Sequence, residues 1–335
     1  MAVSRFSPRP LLRRLRARRL GSGLVRLGLA VVVLAVVLRF GGSEVWTKVA
    51  HPEVVPWLLL GAGVHLGQRA ARMAKWSDML RDIPVRRRDF QFLFRTQLVG
   101  MLANLVAPVS EALKIGALAR DRSEAVVVST TIVADVALHA AGMGVVGVLG
   151  ALVLGIRHPL VGGGALAVSA LATLILLGLQ RWPRRARGRI RYARGRTLAW
   201  TTAEVALQVA VYLIAFRALR VDVGPGRVVA IAPLLFLGDA ITVTPSGLGL
   251  REGLFAAIFE VLGGAPADTA IAVGLTISAM MFAAALAGGV PALLLRGPAR
   301  DDAAAAVAAV EDPAADGLTR TARRRPETEA PTEPP

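Results

Sequence analysis

The chain has 335 residues, is 54% hydrophobic, carries a formal net charge of +17 and contains no cysteine. A mean hydropathy of +0.56, with several apolar runs near the ~20 residues that cross a bilayer, excludes a soluble domain built on one core and points to a membrane protein. Disulfides, thiol catalysis and cysteine metal sites are excluded. The four histidines, His51, His65, His139 and His158, are dispersed and make no HExxH zinc motif.

Residues 1–24 form a basic arm with Arg5, Arg9, Arg13, Arg14, Arg16, Arg18 and Arg19 and no acidic residue. The apolar run 27–38 follows. This order also fits a cleaved signal peptide, but no small-x-small cleavage site precedes Phe40-Gly41-Gly42, so an uncleaved first span with its N-terminus inside is expected. Residues 54–71 form a second span. Its end carries Arg69, Arg72, Lys75 and Trp76, the last as an interface anchor, and Arg81, Arg86, Arg87 and Arg88 then mark a cytoplasmic loop.

Region 90–122 is unusual. An apolar arm reaches Leu105, Ala107-Pro108-Val109-Ser110 interrupts it, and a second arm returns to Arg120 and Arg122. Ser110 suits an N-cap and Glu111 the first turn after it. A full crossing would leave Arg120-Asp121-Arg122 outside, so a re-entrant hairpin from the cytoplasmic side is expected. Arg95, in the first arm, can reach the interface by snorkelling.

Residues 126–154 go outward and carry Asp135 and His139, four apart and so on one helix face. Residues 160–179 return to the most basic loop, 181–196. Residues 198–219 go outward with Glu204, Gln208 and Tyr212 at i, i+4 and i+8. Region 228–262 contains ITVTPSGLGLREGLF at 241–255. There Pro245-Ser246-Gly247 removes a backbone donor and permits positive φ, so an arriving helix breaks. Residues 269–295 form the last span. The tail 301–335 is rich in Ala, Pro, Thr and Glu and reads as disordered.

Parity then sets the architecture. With the tail inside, 228–262 must start and end outside, as a second hairpin facing the first. Six of the 40 Lys+Arg fall in outside segments (Arg39, Lys48, Arg157, Arg217, Arg220 and Arg227), as the positive-inside rule requires. The expected fold is an all-α polytopic membrane protein with about six full spans plus two oppositely oriented re-entrant helical hairpins. Its organisation is a basic cytoplasmic arm (1–23), a transmembrane domain (24–296, halves 24–155 and 159–296) and a cytoplasmic tail (297–335). Inverted repeats whose broken helices meet near the midplane are a recurring transporter design.

At its two interrupted regions the chain resembles the transmembrane, flippase-like domain of lysylphosphatidylglycerol synthases and their stand-alone relatives. The family's late motif, Pro-x-Gly-x-Gly-x-x-Glu, stands here as Pro245-Ser246-Gly247-Leu248-Gly249-Leu250-Arg251-Glu252. Its early motif stands as Pro108-Val109-Ser110-Glu111 with Lys114, where Ser110 replaces the usual Gly and Lys114 the usual Arg. Lys75-Trp76 is similar to the family's Arg-Trp after the second span; Asp135 and the Gln208–Tyr212 pair also fit. The resemblance covers about 24–296. It implies lipid movement between leaflets in a multi-pass cell-membrane protein with both termini cytoplasmic. With no synthase domain after the last span, lipid aminoacylation is not expected.

The candidate substrate-binding residues are Pro108, Ser110, Glu111, Lys114, Asp135, Asp239, Pro245, Ser246, Gly247, Gly249, Arg251 and Glu252. Ionisable groups at a break inside hydrocarbon mark a functional site by default. Arg251 and the exposed backbone donors beside it suit a lipid phosphate, or the pair caps the hairpin. Glu111 either contacts substrate or complements the helix dipole. Asp135 with His139 either handles a proton or enters a buried ion pair, with Arg95 or Lys114 as the partner. Glu204 lies close to the interface and can face water. Asp239 can line the cavity.

No nucleophile–base pair or metal set supports an enzyme, and no cofactor is expected. The expected partners are a membrane phospholipid or polyprenyl-linked lipid, with anionic lipids at the cytoplasmic basic loops and no nucleic acid. A second copy of the chain, or an envelope-synthesis protein, is a further candidate. The alternative function is a non-transporting accessory subunit of envelope glycolipid or cell-wall synthesis.

Overall fold

The computed structural model describes residues 47, 49–83, 85, 88–105, 110–119, 122–155, 159–181, 195–240, 250–262 and 266–294. Among them are nine α-helices and no strand: α1 (Val55–Met79), α2 (Phe90–Asn104), α3 (Ser110–Leu118), α4 (Arg122–Val153), α5 (Pro159–Arg181), α6 (Gly195–Ala218), α7 (Pro225–Ala240), α8 (Leu250–Leu262) and α9 (Ala267–Leu294). The expected first span, 27–38, the basic arm and the tail lie outside the described residues. So do the interruptions 106–109 and 241–249, and with them Pro108, Pro245, Ser246, Gly247 and Gly249.

Among the described residues, four helices are long and apolar enough to cross a membrane: 123–153 in α4, 159–179 in α5, α6 and α9. Helix α1 has the length, 25 residues or about 37 Å. It also carries Arg69, Arg72 and Lys75 within its helical run, so it is less apolar than those four. The expected second span therefore continues eight residues past Ala71 as one helix, and the basic residues read as a loop edge belong to its last turns.

The remaining helices are short. Helices α2 and α3 have 15 and 9 residues, α7 and α8 have 16 and 13. At about 1.5 Å per residue, none reaches the ~30 Å of a hydrocarbon core. Asp89 caps α2, its carboxylate accepting from Phe92 N–H at 2.8 Å. Asn104 Oδ1, at the end of α2, accepts from Ser110 N–H at 2.8 Å and so ties down the start of α3. Helices α2 and α3 approach closely at Gly100, where a Cβ would lie 2.5 Å from Ser110 Oγ and force Ser110 to shift. Phe92 and Leu93 near the start of α2 share one apolar cluster with Ala117 and Leu118 at the end of α3.

Contacts relate the two parts of the chain. Helices α1 and α6 are antiparallel: Gln68 meets Gln208, Lys75 meets Glu204 and Asp78 meets Thr197. Helix α2 lies against α9, with Arg95 Nε donating to Ala292 O at 3.0 Å and Leu98 against Gly288. Helix α4 lies against α7, where a Cβ on Gly147 would meet Pro233 at 2.2 Å. Exchanging α1–α4 for α6–α9 carries these contacts onto one another: α2–α3 onto α7–α8, α1–α2 onto α6–α7, α3–α4 onto α8–α9, α2–α9 onto α7–α4, and α1–α6 onto itself. Helix α5 packs on α4 and α7; Leu166, Leu171 and Leu174 of α5 are exposed, as are Leu149, Leu152 and Val153 of α4. Such an apolar outer surface suits lipid rather than water.

Candidate functional site

Helical spacing puts ionisable side chains in register on three long helices. On α1, His65, Gln68, Arg72 and Lys75 recur at three and four residues and form one stripe. On α4, Thr131, Asp135 and His139 are four apart. On α6, Thr197, Thr201, Glu204 and Gln208 recur at four, three and four residues. Where the stripes meet, Arg72 Nε lies 2.6 Å from Asp135 Oδ2. Lys75 Nζ lies 2.9 Å from Asp135 Oδ1 and 2.5 Å from Glu204 Oε2. Lys75 is 0% exposed and Glu204 2%. A charge so enclosed persists only when paired, and each carboxylate here holds a cation.

Helix α3 joins this group. Lys114 Nζ lies 2.9 Å from Glu111 Oε1, and Arg72 Nη2 lies 4.0 Å from the same oxygen. Lys114 also sits 5.8 Å from the Trp76 ring centroid, close enough for a cation–π contribution. Trp76 is 1% exposed and its Nε1–H donates to Thr131 Oγ1 at 3.0 Å, so it is a buried strut and not an interface anchor. His139 Nδ1 is 3.1 Å from Glu204 Oε1 but out of line for a hydrogen bond. Its ring packs on Phe236 of α7 with centroids 4.8 Å apart. Gln68 Nε2 donates to Gln208 Oε1 at 2.6 Å beside the ionic group.

A second, smaller polar set lies where α8 meets α9. Arg251 Nη1 donates to Ser278 Oγ at 2.9 Å, and Ser278 Oγ donates to Glu252 Oε1 at 2.7 Å. Arg251 is 1% exposed and Glu252 0%. Gly274 lies under the Glu252 side chain and Gly238 under Arg251, so small residues on the neighbouring helices make room for both. His65 is within electrostatic range of Arg251, and its Nε2 accepts from Arg69 Nε at 3.2 Å.

Of the candidate residues, Glu111, Lys114 and Asp135 come together through Arg72. Ser110 is buried beside Gly100, at the arm contact. Arg251 and Glu252 form the second set. Asp239 lies near the end of α7, and its side chain is outside the described residues. The ion pairing of Asp135 is with Arg72 and Lys75, whereas the sequence suggested Arg95 or Lys114; Arg95 is bonded to Ala292 O instead. Glu204 is buried, not water-facing. Arg72 and Lys75 were missed as site residues. Their recurrence with His65 and Gln68 on one face was the available signal, hidden by reading the basic residues as topology.

At the opposite end of the α1–α6 pair is an open groove lined by Glu53, Trp57, Arg217, Arg220 and Asp222. Arg220 Nη2 pairs with Glu53 Oε2 at 2.5 Å, both side chains being largely exposed. Among the described residues, no group of three or more His, Asp or Glu is arranged to hold a metal ion.

A search of curated proteins gives no match. A family model described as the lysylphosphatidylglycerol synthase TM region matches residues 23–289. That interval contains every helix described except the last turns of α9, and both polar sets. With its membrane-crossing helices, the chain is a multi-pass membrane protein and belongs to the lysylphosphatidylglycerol synthase transmembrane-region family.

Proposed function

We propose that the protein moves a phospholipid or lipid-linked headgroup between the leaflets of the cell membrane, without chemical change to the lipid. The observation that carries this reading is the ionic group drawn from α1, α3, α4 and α6. Five charged side chains, Arg72, Lys75, Lys114, Asp135 and Glu204, are largely enclosed, with Glu111 at the edge of the group, in a molecule that exposes many large apolar side chains. Charges at such depth are expensive, and their usual use is to line a path for a polar cargo. A headgroup passing between these helices would exchange water for paired side chains rather than for hydrocarbon.

The inverted-repeat reading gains support from the helix directions and from the exchange of contacts between α1–α4 and α6–α9. In this reading α2–α3 and α7–α8 are re-entrant hairpins entering from opposite faces, and both termini are cytoplasmic. Rocking of one half against the other, parting the α1–α6 contact at one end and then at the other, would open the path alternately to each side. The polar candidates divide accordingly, with Glu111, Lys114 and Asp135 at one hairpin and Arg251 and Glu252 at the other.

The test is lipid translocation by the purified protein in proteoliposomes, using anionic, zwitterionic and polyprenyl-phosphate reporters, with Arg251→Ala and Glu111→Gln in parallel. Headgroup-selective movement that both substitutions abolish supports the reading. Folded protein that moves no reporter would refute it and favour the accessory-subunit alternative.

A further inference from the structure

The bonded ionic group balances without His139. Arg72, Lys75 and Lys114 supply three positive charges, and Glu111, Asp135 and Glu204 three negative ones. His139 is the seventh ionisable member and the one whose charge is not already used. It is 5% exposed. Glu204 faces it from α6, Lys75 and Arg72 of α1 lie beyond their shared carboxylates, Asp135 is one turn away on α4, and α7 offers Phe236. Glu204 Oε1 lies 3.1 Å from His139 Nδ1, so a proton added to this ring is held beside a carboxylate. The other buried histidine of α1 is placed differently. His65 uses its Nε2 lone pair to accept from Arg69, which occupies the position a second proton would take.

We infer that His139 is a proton-binding site coupled to an anionic headgroup, so that the protein carries one proton with each anionic lipid. This inference rests on the lipid-moving reading above. A proton on His139 leaves the group with one uncompensated positive charge in a low-dielectric interior, which a lipid phosphate would neutralise. An anionic headgroup entering the balanced group brings the opposite excess, which the proton neutralises. The two bindings therefore favour one another, and the coupling is reciprocal. Glu204 belongs to α6 and His139 to α4, so the proton sits on the contact between the halves. The Phe236 ring gives α7, the arm that leads to 241–249, direct contact with the imidazole.

The experiment uses proteoliposomes containing the full chain, a fluorescent phosphatidylglycerol or phosphatidylcholine in the outer leaflet, and a pH-sensitive dye in the lumen. Inward movement of phosphatidylglycerol should acidify the lumen with about one proton per lipid, and phosphatidylcholine should not. Phosphatidylglycerol movement should rise as the external pH falls. His139→Gln should abolish the lumen signal, flatten that profile and slow phosphatidylglycerol by about tenfold or more. Phosphatidylglycerol movement without a lumen signal, at a rate indifferent to pH, would overturn the coupling and leave lipid movement standing. Folded protein that moves neither lipid would overturn both.

Discussion

The two buried polar sets differ in what they join. The ionic group links residues 63 and 129 positions apart, through Arg72–Asp135 and Lys75–Glu204, and so fastens α1 to α4 and to α6. The relay at α8 joins residues only 27 and 26 apart, through Arg251–Ser278 and Ser278–Glu252. The first set is an interface between parts that the proposed mechanism moves. The second fixes the start of one short helix against its neighbour. Similar burial therefore serves a mobile contact in one place and a local one in the other.

That comparison is sharpened first at Lys75. Lys75→Ala leaves Asp135 with Arg72 alone and Glu204 with no formal cation beyond His139, and should cost about 3–5 kcal/mol, read by thermal unfolding in detergent. Removing the charges together, as Lys75→Met with Asp135→Asn and Glu204→Gln, should restore most of that loss, because a buried pair is worth much less than the penalty for breaking it. Ser278→Ala should cost less, about 1–3 kcal/mol, since it removes two hydrogen bonds and leaves both charges in place. If Ser278→Ala proved as damaging as Lys75→Ala, the contrast between the sets would collapse. Glu53→Gln, at the exposed pair with Arg220, should shift stability by under about 0.5 kcal/mol; a larger loss would show that the outer groove is as tightly held as the ionic group.

The chain order made much of this legible. Apolar runs and basic segments located α4, α5, α6 and α9, and turn chemistry at 106–110 separated α2 from α3. Glu111 and Lys114 stood out as candidates, but their pairing with one another was not drawn, because Lys114 was offered to Asp135. The partners of Asp135 did not follow, because they depend on which helices lie together, and a basic residue near a span end looks the same whether it faces cytoplasm or a carboxylate. Lys75 and Glu204 are the case in point. Each sits near the end of its apolar run, where water is the ordinary neighbour, yet antiparallel packing of α1 on α6 brings them to 2.5 Å. Trp76 misled for a related reason: an aromatic ring beside arginines suits an interface, but Thr131 of α4 takes its N–H inside.

The central claim is that the halves must part at the α1–α6 contact for a headgroup to pass. Asp78 and Thr197 meet there just beyond the ionic group, with Thr197 Oγ1 donating to Asp78 Oδ2 at 2.6 Å. The chain has no native cysteine, so Asp78→Cys with Thr197→Cys can be joined by oxidation or a short thiol cross-linker without background. The account predicts that the joined protein stops moving lipid in proteoliposomes and that cleaving the link restores movement. A fully joined protein that moves lipid at the unlinked rate would contradict it.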